Sequence, residues 1–259
     1  MIKIENTEVF GWEAAIRGMR NPKNSWDLSD TAVVEVPDTP RLDYLGNVVE
    51  IIPAHKRTVI IQKDDVWTGV GEKDLKLMRT LAHAGSDHGK FLRMINVTVD
   101  FTAPLYWWKE HDQYKVGTTT NSCSTMHKIH AKEFTLDDFS HEHLLNIWDS
   151  GAAFVYDCQV REANEVEEGK CYLASLELLK LTIDVLNVYR HRFIKTKNKI
   201  HWQQMIQLLP SSYNQKRTVQ LNYAVLLNMY HARKNHKLDE WHTLCEWIEE
   251  LPFFREICL

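Results

Sequence analysis

No stretch of the chain approaches the roughly 18 consecutive apolar residues of a membrane span, and the opening Met-Ile-Lys-Ile-Glu-Asn-Thr lacks the apolar run of a secretory leader. The five cysteines (Cys123, Cys158, Cys171, Cys245 and Cys258) are odd in number, and none is spaced as Cys-x-x-Cys. That argues against a disulfide framework or a zinc site and for a reducing compartment. A basic excess is missing too: with 31 Lys and Arg against 35 Asp and Glu, the formal net charge is −4. This speaks against a protein that lives on a nucleic-acid polymer, although a nucleotide needs only a local basic spot. Internal repeats and low-complexity segments are also lacking. The expectation is a soluble cytoplasmic protein with no metal, no membrane and no nucleic-acid polymer among its partners.

What is present is an ordinary globular composition. The 259 residues are 44% hydrophobic and 25% charged, enough for one large core, and residues 1–259 read as a single domain. Residues 2–4 suit a short edge strand. Thr7 suits the N-cap of a helix from Glu8 to Met19, with Val9, Trp12, Ala15, Ile16 and Met19 on one face. The turn-rich segment from Gly18 to Asp27, with Arg20 in it and Arg17 just before, suits a loop at the surface or over a ligand pocket. Residues 30–56 read as irregular, Arg57 to Gln62 as a buried strand, and Glu72 to Ala84 as a helix stopped by Gly85. Met94 to Phe101 alternates as a strand does, and Ala103-Pro104 ends it. From residue 140 the chain reads as helical: His141 to Val160, a solvated acidic turn from Glu162 to Glu168, Lys170 to Phe193, Asn198 to Leu209, and Gln215 to Arg233. The expected fold class is α/β (α+β), a central sheet with a long helical C-terminal half.

Two polar blocks could carry chemistry. The first follows the aromatic cluster Tyr106, Trp107 and Trp108: Thr118, Thr119, Thr120, Asn121, Ser122, Ser124 and Thr125 are nearly all hydroxyl or amide. Such side chains are short neutral donors and acceptors. They suit a polar ligand at a strand end or helix start, and equally an ordinary capped loop. In the second block Asn222, Asn228 and Arg233 follow Leu209-Pro210 at intervals of six and five. On one continuous helix Asn222 and Arg233 would return to within about 20° of each other; boundary positions beside an apolar face give the same pattern. Asp87-His88 precedes the central strand.

The spacing Thr119-x-Asn121-x-x-Ser124 resembles the second half of the signature of flavin-dependent thymidylate synthases, Arg-His-Arg-x-x-Ser-x-Asn-x-x-Ser-x-Arg-Tyr. Asp87-His88 and the Leu-Pro, Asn, Asn, Arg block resemble, in order, two further blocks of that family, so that the likeness covers about residues 75–245. The resemblance implies the α/β fold of the flavin-type synthases and a homotetramer with sites built from several subunits. It implies reductive methylation of dUMP to dTMP with FAD, NADPH and methylenetetrahydrofolate. It assigns His88, Thr119, Asn121, Asn222 and Asn228 to the flavin, and Lys115, Ser122 and Ser124 to the nucleotide. Arg233 it assigns to binding and polarising the pyrimidine.

The chain departs from the signature in its cations. The Arg-His-Arg triplet falls on Tyr114, Lys115 and Val116, and the closing Arg-Tyr on Met126 and His127. Lys109, His127, Lys128 and Arg20 are candidates to replace the lost charge. The literal Arg190-His191-Arg192 lacks the Ser-x-Asn that should follow and sits where helix-end cations are expected. Glu240 reads as a helix-surface acid. Three functions stay open: a divergent flavin-dependent thymidylate synthase, a one-carbon transferase on another pyrimidine nucleotide, and a non-catalytic nucleotide-binding protein of the same fold.

Overall fold

A computed structural model describes residues 2–32, 34–36, 39–42, 46–52, 55–58, 60–63, 66–149, 154–162 and 165–259. In chain order the elements are β1 (Lys3–Phe10), α1 (Trp12–Arg20), β2 (Val34–Val36), β3 (Thr39–Leu42), β4 (Val48–Ile52), β5 (His55–Arg57), β6 (Ile61–Lys63), β7 (Val66–Thr68), α2 (Glu72–His83), β8 (Asn96–Pro104), α3 (Leu105–His111) and β9 (Thr119–Ser122). Then come β10 (Phe154–Glu162), β11 (Glu165–Leu173), α4 (Ser175–Thr196), α5 (Lys199–Leu208), β12 (Asn214–Asn222), α6 (Tyr223–Arg233), α7 (Asp239–Glu250) and α8 (Phe254–Cys258). The fold is mixed helix and strand with an open antiparallel sheet. That four-stranded sheet runs in the order β1-β8-β12-β9, leaving β1 and β9 at its edges. No described helix is long and apolar enough to cross a membrane.

Strand β8 carries the alternation the sequence announces: Val97, Val99, Phe101 and Ala103 are all fully buried. Helix α2 ends as expected, with Gly85 in the left-handed region at φ +102°. Helix α5 begins at Asn198, whose Oδ1 accepts from Ile200 N at 3.0 Å.

The chain divides into two compact units. One contains residues 1–3, 101–113 and 121–217; the other contains residues 4–100, 114–120 and 218–259. The core of the first packs Leu179, Ile183 and Leu186 of α4 and Met205 of α5 against Ile129, Phe134 and Phe139. Asn187 ties the 129–139 loop to α4, since its Oδ1 accepts from Phe134 N at 3.0 Å and its Nδ2 donates to Phe134 O at 2.9 Å. Arg190, in the last turns of α4, donates to His130 O at 3.1 Å, so the literal Arg-His-Arg is part of a helix end. In the second unit Trp12 meets Tyr223 and Phe253 edge to face, with ring centres 5.8 and 5.7 Å apart. Cys258 is buried there, which pushes its thiol up to about 12.

Several sequence expectations are corrected. Residues 3–10 are a strand and the helix starts only at Trp12. Gly11 forces the break: its φ is +98°, and a Cβ there would lie against Met94 O. Trp12, Ala15, Ile16 and Met19 are buried as expected, but Val9 belongs to the strand. The segment expected to be irregular holds paired ribbons, β2 with β5 and β3 with β4. The expected strand from Arg57 to Gln62 is divided between β5 and β6, and Ile61 is 53% exposed.

The region from His141 to Leu173 differs most. Leu145 lies exposed outside any helix, Trp148 lies exposed in a turn, and β10 pairs with β11 from Phe154↔Leu173 to Glu162↔Glu165. Residues 150–153, 163 and 164, which include Ala152 of the expected helix, lie outside the described residues. The aromatic and β-branched content of 154–160 and 166–172 favours strand over helix, and the acidic residues close the hairpin rather than a helix–helix turn. Residues 214–222 are likewise strand, with Val219 and Leu221 buried, so the helix begins at Tyr223 and not near Gln215.

Candidate functional site

In the second unit α6 organises the candidate residues. Asn222 is the extended residue that ends β12, and its Oδ1 accepts from Val225 N at 3.1 Å, capping the helix. Its role at a strand–helix junction removes the premise of a continuous helix shared with Arg233. Gly117, at φ +77°, lies against this junction: a Cβ there would sit 3.1 Å from both Asn222 Nδ2 and Val225 Cγ2. The same segment reaches the far end of α6. Arg233 is the helix's last residue, where the dipole favours a cation, and its Nε donates to Tyr114 Oη at 2.9 Å. The guanidinium carbon lies 4.5 Å from the ring centre of fully buried Trp241 and 5.6 Å from that of Tyr114. The two rings meet edge to face at 6.2 Å. An arginine against two aromatic faces gains cation–π attraction and loses rotamer freedom in advance of any ligand.

The remaining candidates of this unit are more open. Lys115 and Thr119 are exposed, and Val116, between the tyrosine segment and Gly117, is 90% exposed. Thr118 Oγ1 is buried without a hydrogen-bond partner among the described residues. Asn228 is exposed on α6 and, five residues before Arg233, points roughly 140° away from it around the helix. His88 is exposed and precedes the 3-10 turn Gly89–Arg93, which packs against α6. The structure thus brings Tyr114, Gly117, Asn222 and Arg233 together along α6 and does not bring Asn228 to Arg233's side. Glu240, read from the sequence as a surface acid, is only 5% exposed in the first turn of α7.

Arg20 is also corrected. It is 4% exposed and donates from Nε to Asp74 Oδ1 at 2.6 Å, from Nη1 to Ser25 O at 3.0 Å, and from Nη2 to Leu28 O at 3.1 Å. Its charge is committed to the fold and does not replace a lost phosphate clamp. The loop after it does border a cavity of about 360 Å³, lined by residues that include Arg17, Trp26, Ser29 and Thr31.

The first unit holds Asn121 and Ser122, exposed at the end of β9, and Ser124. Ser124 Oγ accepts from Met126 N at 3.2 Å and His127 N at 2.9 Å, so this hydroxyl caps the following turn. Lys109, His127 and Lys128 are exposed. A residue the sequence gives no reason to single out, Arg217, donates to Gln215 Oε1 at 2.9 Å and to Asp112 Oδ1 at 2.7 Å, and stacks 4.1 Å over Trp108.

Beside it His111 is 1% exposed among Phe101, Trp107 and Trp108, with no partner for Nε2 among the described residues. Burial pushes its pKa down from 6.5 to about 4; Asp112 pulls it upward and Arg217 downward, each by less. The folded state therefore holds a neutral imidazole where the unfolded chain would be protonated. This stability is complete above pH 6.5 and is lost as the pH falls from there toward 4. At pH 5 the loss is about 2 kcal/mol. His111→Phe should flatten the fall in melting temperature between pH 7 and pH 5, as followed by thermal denaturation.

Neither protein-family models nor curated sequences give a match to the chain. Solved structures do. A flavin-dependent thymidylate synthase from Helicobacter pylori, complexed with FAD and dUMP, matches with a TM-score of 0.57 at 13% identity, covering 99% of this chain and 97% of that one. A second structure of the Helicobacter pylori enzyme with FAD and dUMP gives 0.58 at 13% identity, over 100% and 97%. A UMP/dUMP methylase from Streptomyces cacaoi, bound with 5-Br UMP, gives 0.54 at 12% identity, over 99% and 93%. The chain has the fold of the flavin-dependent thymidylate synthases along essentially its whole length, as the sequence resemblance implies.

Proposed function

We propose that the chain is a flavin-dependent pyrimidine-nucleotide methylase, and specifically a divergent thymidylate synthase converting dUMP to dTMP. The observation that carries this reading is the guanidinium of Arg233, pinned by Tyr114 and Trp241 at the end of α6 in a chain of this fold. A permanently charged planar group held in place before the ligand arrives suits the task of polarising a pyrimidine carbonyl. The neighbours of known structure contain dUMP or 5-Br UMP, which supports the substrate class.

The donors present fit a flavin. Thr119, Asn121, Asn222, Asn228 and His88 are neutral hydrogen-bonding groups of the kind an isoalloxazine and ribityl chain use, and the buried Thr118 hydroxyl has no partner among the described residues. Lys115 would meet the phosphates, with Ser122 and Ser124 toward the nucleotide. When bound, FAD supplies the hydride that reduces the transferred carbon, with NADPH as reductant and methylenetetrahydrofolate as carbon source. The chain's own residues bind and orient: Arg233 holds the base, and Asn222 fixes the start of α6 and with it the direction of that arginine. In this proposal residues 1–259 act as one domain in a cytoplasmic homotetramer.

A second reading has its own observation. Val116, 90% exposed, and Met126, 49% exposed, stand where the signature has arginines that grip phosphates. A non-catalytic nucleotide binder of this fold would tolerate that loss. The deciding experiment is an absorbance spectrum of the purified protein with and without added FAD, followed by a dUMP-dependent turnover assay. Flavin bands and turnover are expected. Absence of both at saturating FAD overturns the enzymatic reading in favour of the binder, and turnover of UMP but not dUMP moves the assignment to another one-carbon transferase.

A further inference from the structure

Resting on the nucleotide-binding reading of Arg233, we infer that Tyr114 is a positioning residue for that arginine, so that this chain selects its pyrimidine nucleotide through a tyrosine-held guanidinium. Arginine has four rotatable side-chain torsions, and about 2 kcal/mol of rotamer entropy opposes fixing it. Several features restrict that freedom here. Nε is spent on Tyr114 Oη at 2.9 Å, one face lies on Trp241 at 4.5 Å, and the backbone is the end of a helix. Tyr114 and Trp241 brace each other edge to face at 6.2 Å, and His236 meets the Trp241 ring at 6.1 Å. Tyr114 itself is fixed by the segment that presses Gly117 against Asn222 and Val225. One short stretch, residues 114–117, therefore touches both ends of α6 and sets where its terminal cation points.

The chemistry at position 114 decides between two accounts of the missing signature arginine. If Tyr114 were only a residue left where a phosphate clamp had been lost, restoring arginine there would strengthen nucleotide binding. A phenol oxygen accepts from a guanidinium; a second guanidinium in its place offers only donors and a like charge. Tyr114→Arg should therefore displace Arg233 and weaken binding.

The experiment measures dUMP dissociation constants by calorimetry for the wild type, Tyr114→Phe and Tyr114→Arg. FAD titrations and melting temperatures are recorded for all three. Tyr114→Phe keeps the ring and its packing on Trp241 and removes only the acceptor. It is expected to weaken dUMP about tenfold, as losing a hydrogen bond to a charged group does, with FAD affinity and melting temperature close to wild type. Tyr114→Arg is expected to weaken dUMP at least as much. Unchanged dUMP affinity in Tyr114→Phe, or tighter binding in Tyr114→Arg, overturns the inference and leaves the nucleotide-binding reading standing. A wild type that binds neither dUMP nor FAD overturns that reading, and the inference falls with it. A drop in melting temperature with FAD and dUMP affinities lowered together would mark Tyr114 as merely structural and also overturns it.

Discussion

Asp74→Ala is expected to cost about 3–5 kcal/mol of folding stability, enough to leave much of the protein unfolded near physiological temperature. Asp74 has no solvent exposure and collects donors from three directions. Its Oδ1 accepts from Arg20 Nε, with Arg20 Nη2 also at 2.6 Å. Its Oδ2 accepts from Ser29 Oγ at 2.5 Å, Thr31 Oγ1 at 2.6 Å and Thr31 N at 3.2 Å. Alanine removes the carboxylate paired with a guanidinium that is itself 4% exposed, and a buried charge without its partner is the expensive outcome. The damage would spread along the same loop. Asp30, between Ser29 and Thr31, accepts from Lys73 N at 2.9 Å and Asp74 N at 3.1 Å at the start of α2. Pairing Asp74→Leu with Arg20→Met should recover part of the loss by removing the stranded charge, but Ser29 and Thr31 would still lose the carboxylate that accepts from their hydroxyls. Urea denaturation of the wild type, the single variant and the double variant measures all three. A single variant within 1 kcal/mol of wild type would show the pair to be dispensable.

That ion pair also marks what a sequence can and cannot disclose. Arg20 and Asp74 lie 54 positions apart, and nothing local links them, so the arginine reads as a loop cation able to serve a ligand. Elements with short-range causes are legible. The 3–4 spacing of α2 ends at a glycine with positive φ, α5 starts at a capping asparagine, and β8 alternates strictly. Elements whose cause is tertiary are not. The start of α1 depends on the approach of Met94 O to Gly11, and the 154–173 hairpin depends on pairing that outweighs a plausible helical reading. The candidate site divides along the same line. Arg233 can be reached from the spacing of Asn222, Asn228 and Arg233, but the helix that spacing suggests begins only after Asn222. Tyr114 occupies a signature position but without the signature's arginine, Trp241 carries no signal of its own, and only folding places the two rings against Arg233.

Arg233→Ala should lower kcat/KM for dUMP about a thousandfold on the proposed function, the scale seen when one preorganised donor to a developing charge is removed. The fold should survive. Arg233 is partly exposed at a helix end, and Leu226 and Met229, the buried residues of α6 nearest to it, are untouched. Flavin affinity should change little, because the flavin is assigned to other residues. Arg233→Lys separates charge from geometry. Lysine keeps the cation but has no Nε–H to give Tyr114 and no planar face for Trp241. Its activity should therefore fall between wild type and alanine, much closer to alanine, despite unchanged formal charge. A lysine variant near wild type would mean that a point charge suffices and that the aromatic bracket is irrelevant to turnover. An alanine variant with full turnover and normal FAD binding would remove Arg233 from the reaction altogether. The assay needs only steady-state dUMP turnover beside an FAD titration, so a loss of flavin is told apart from a loss of pyrimidine activation.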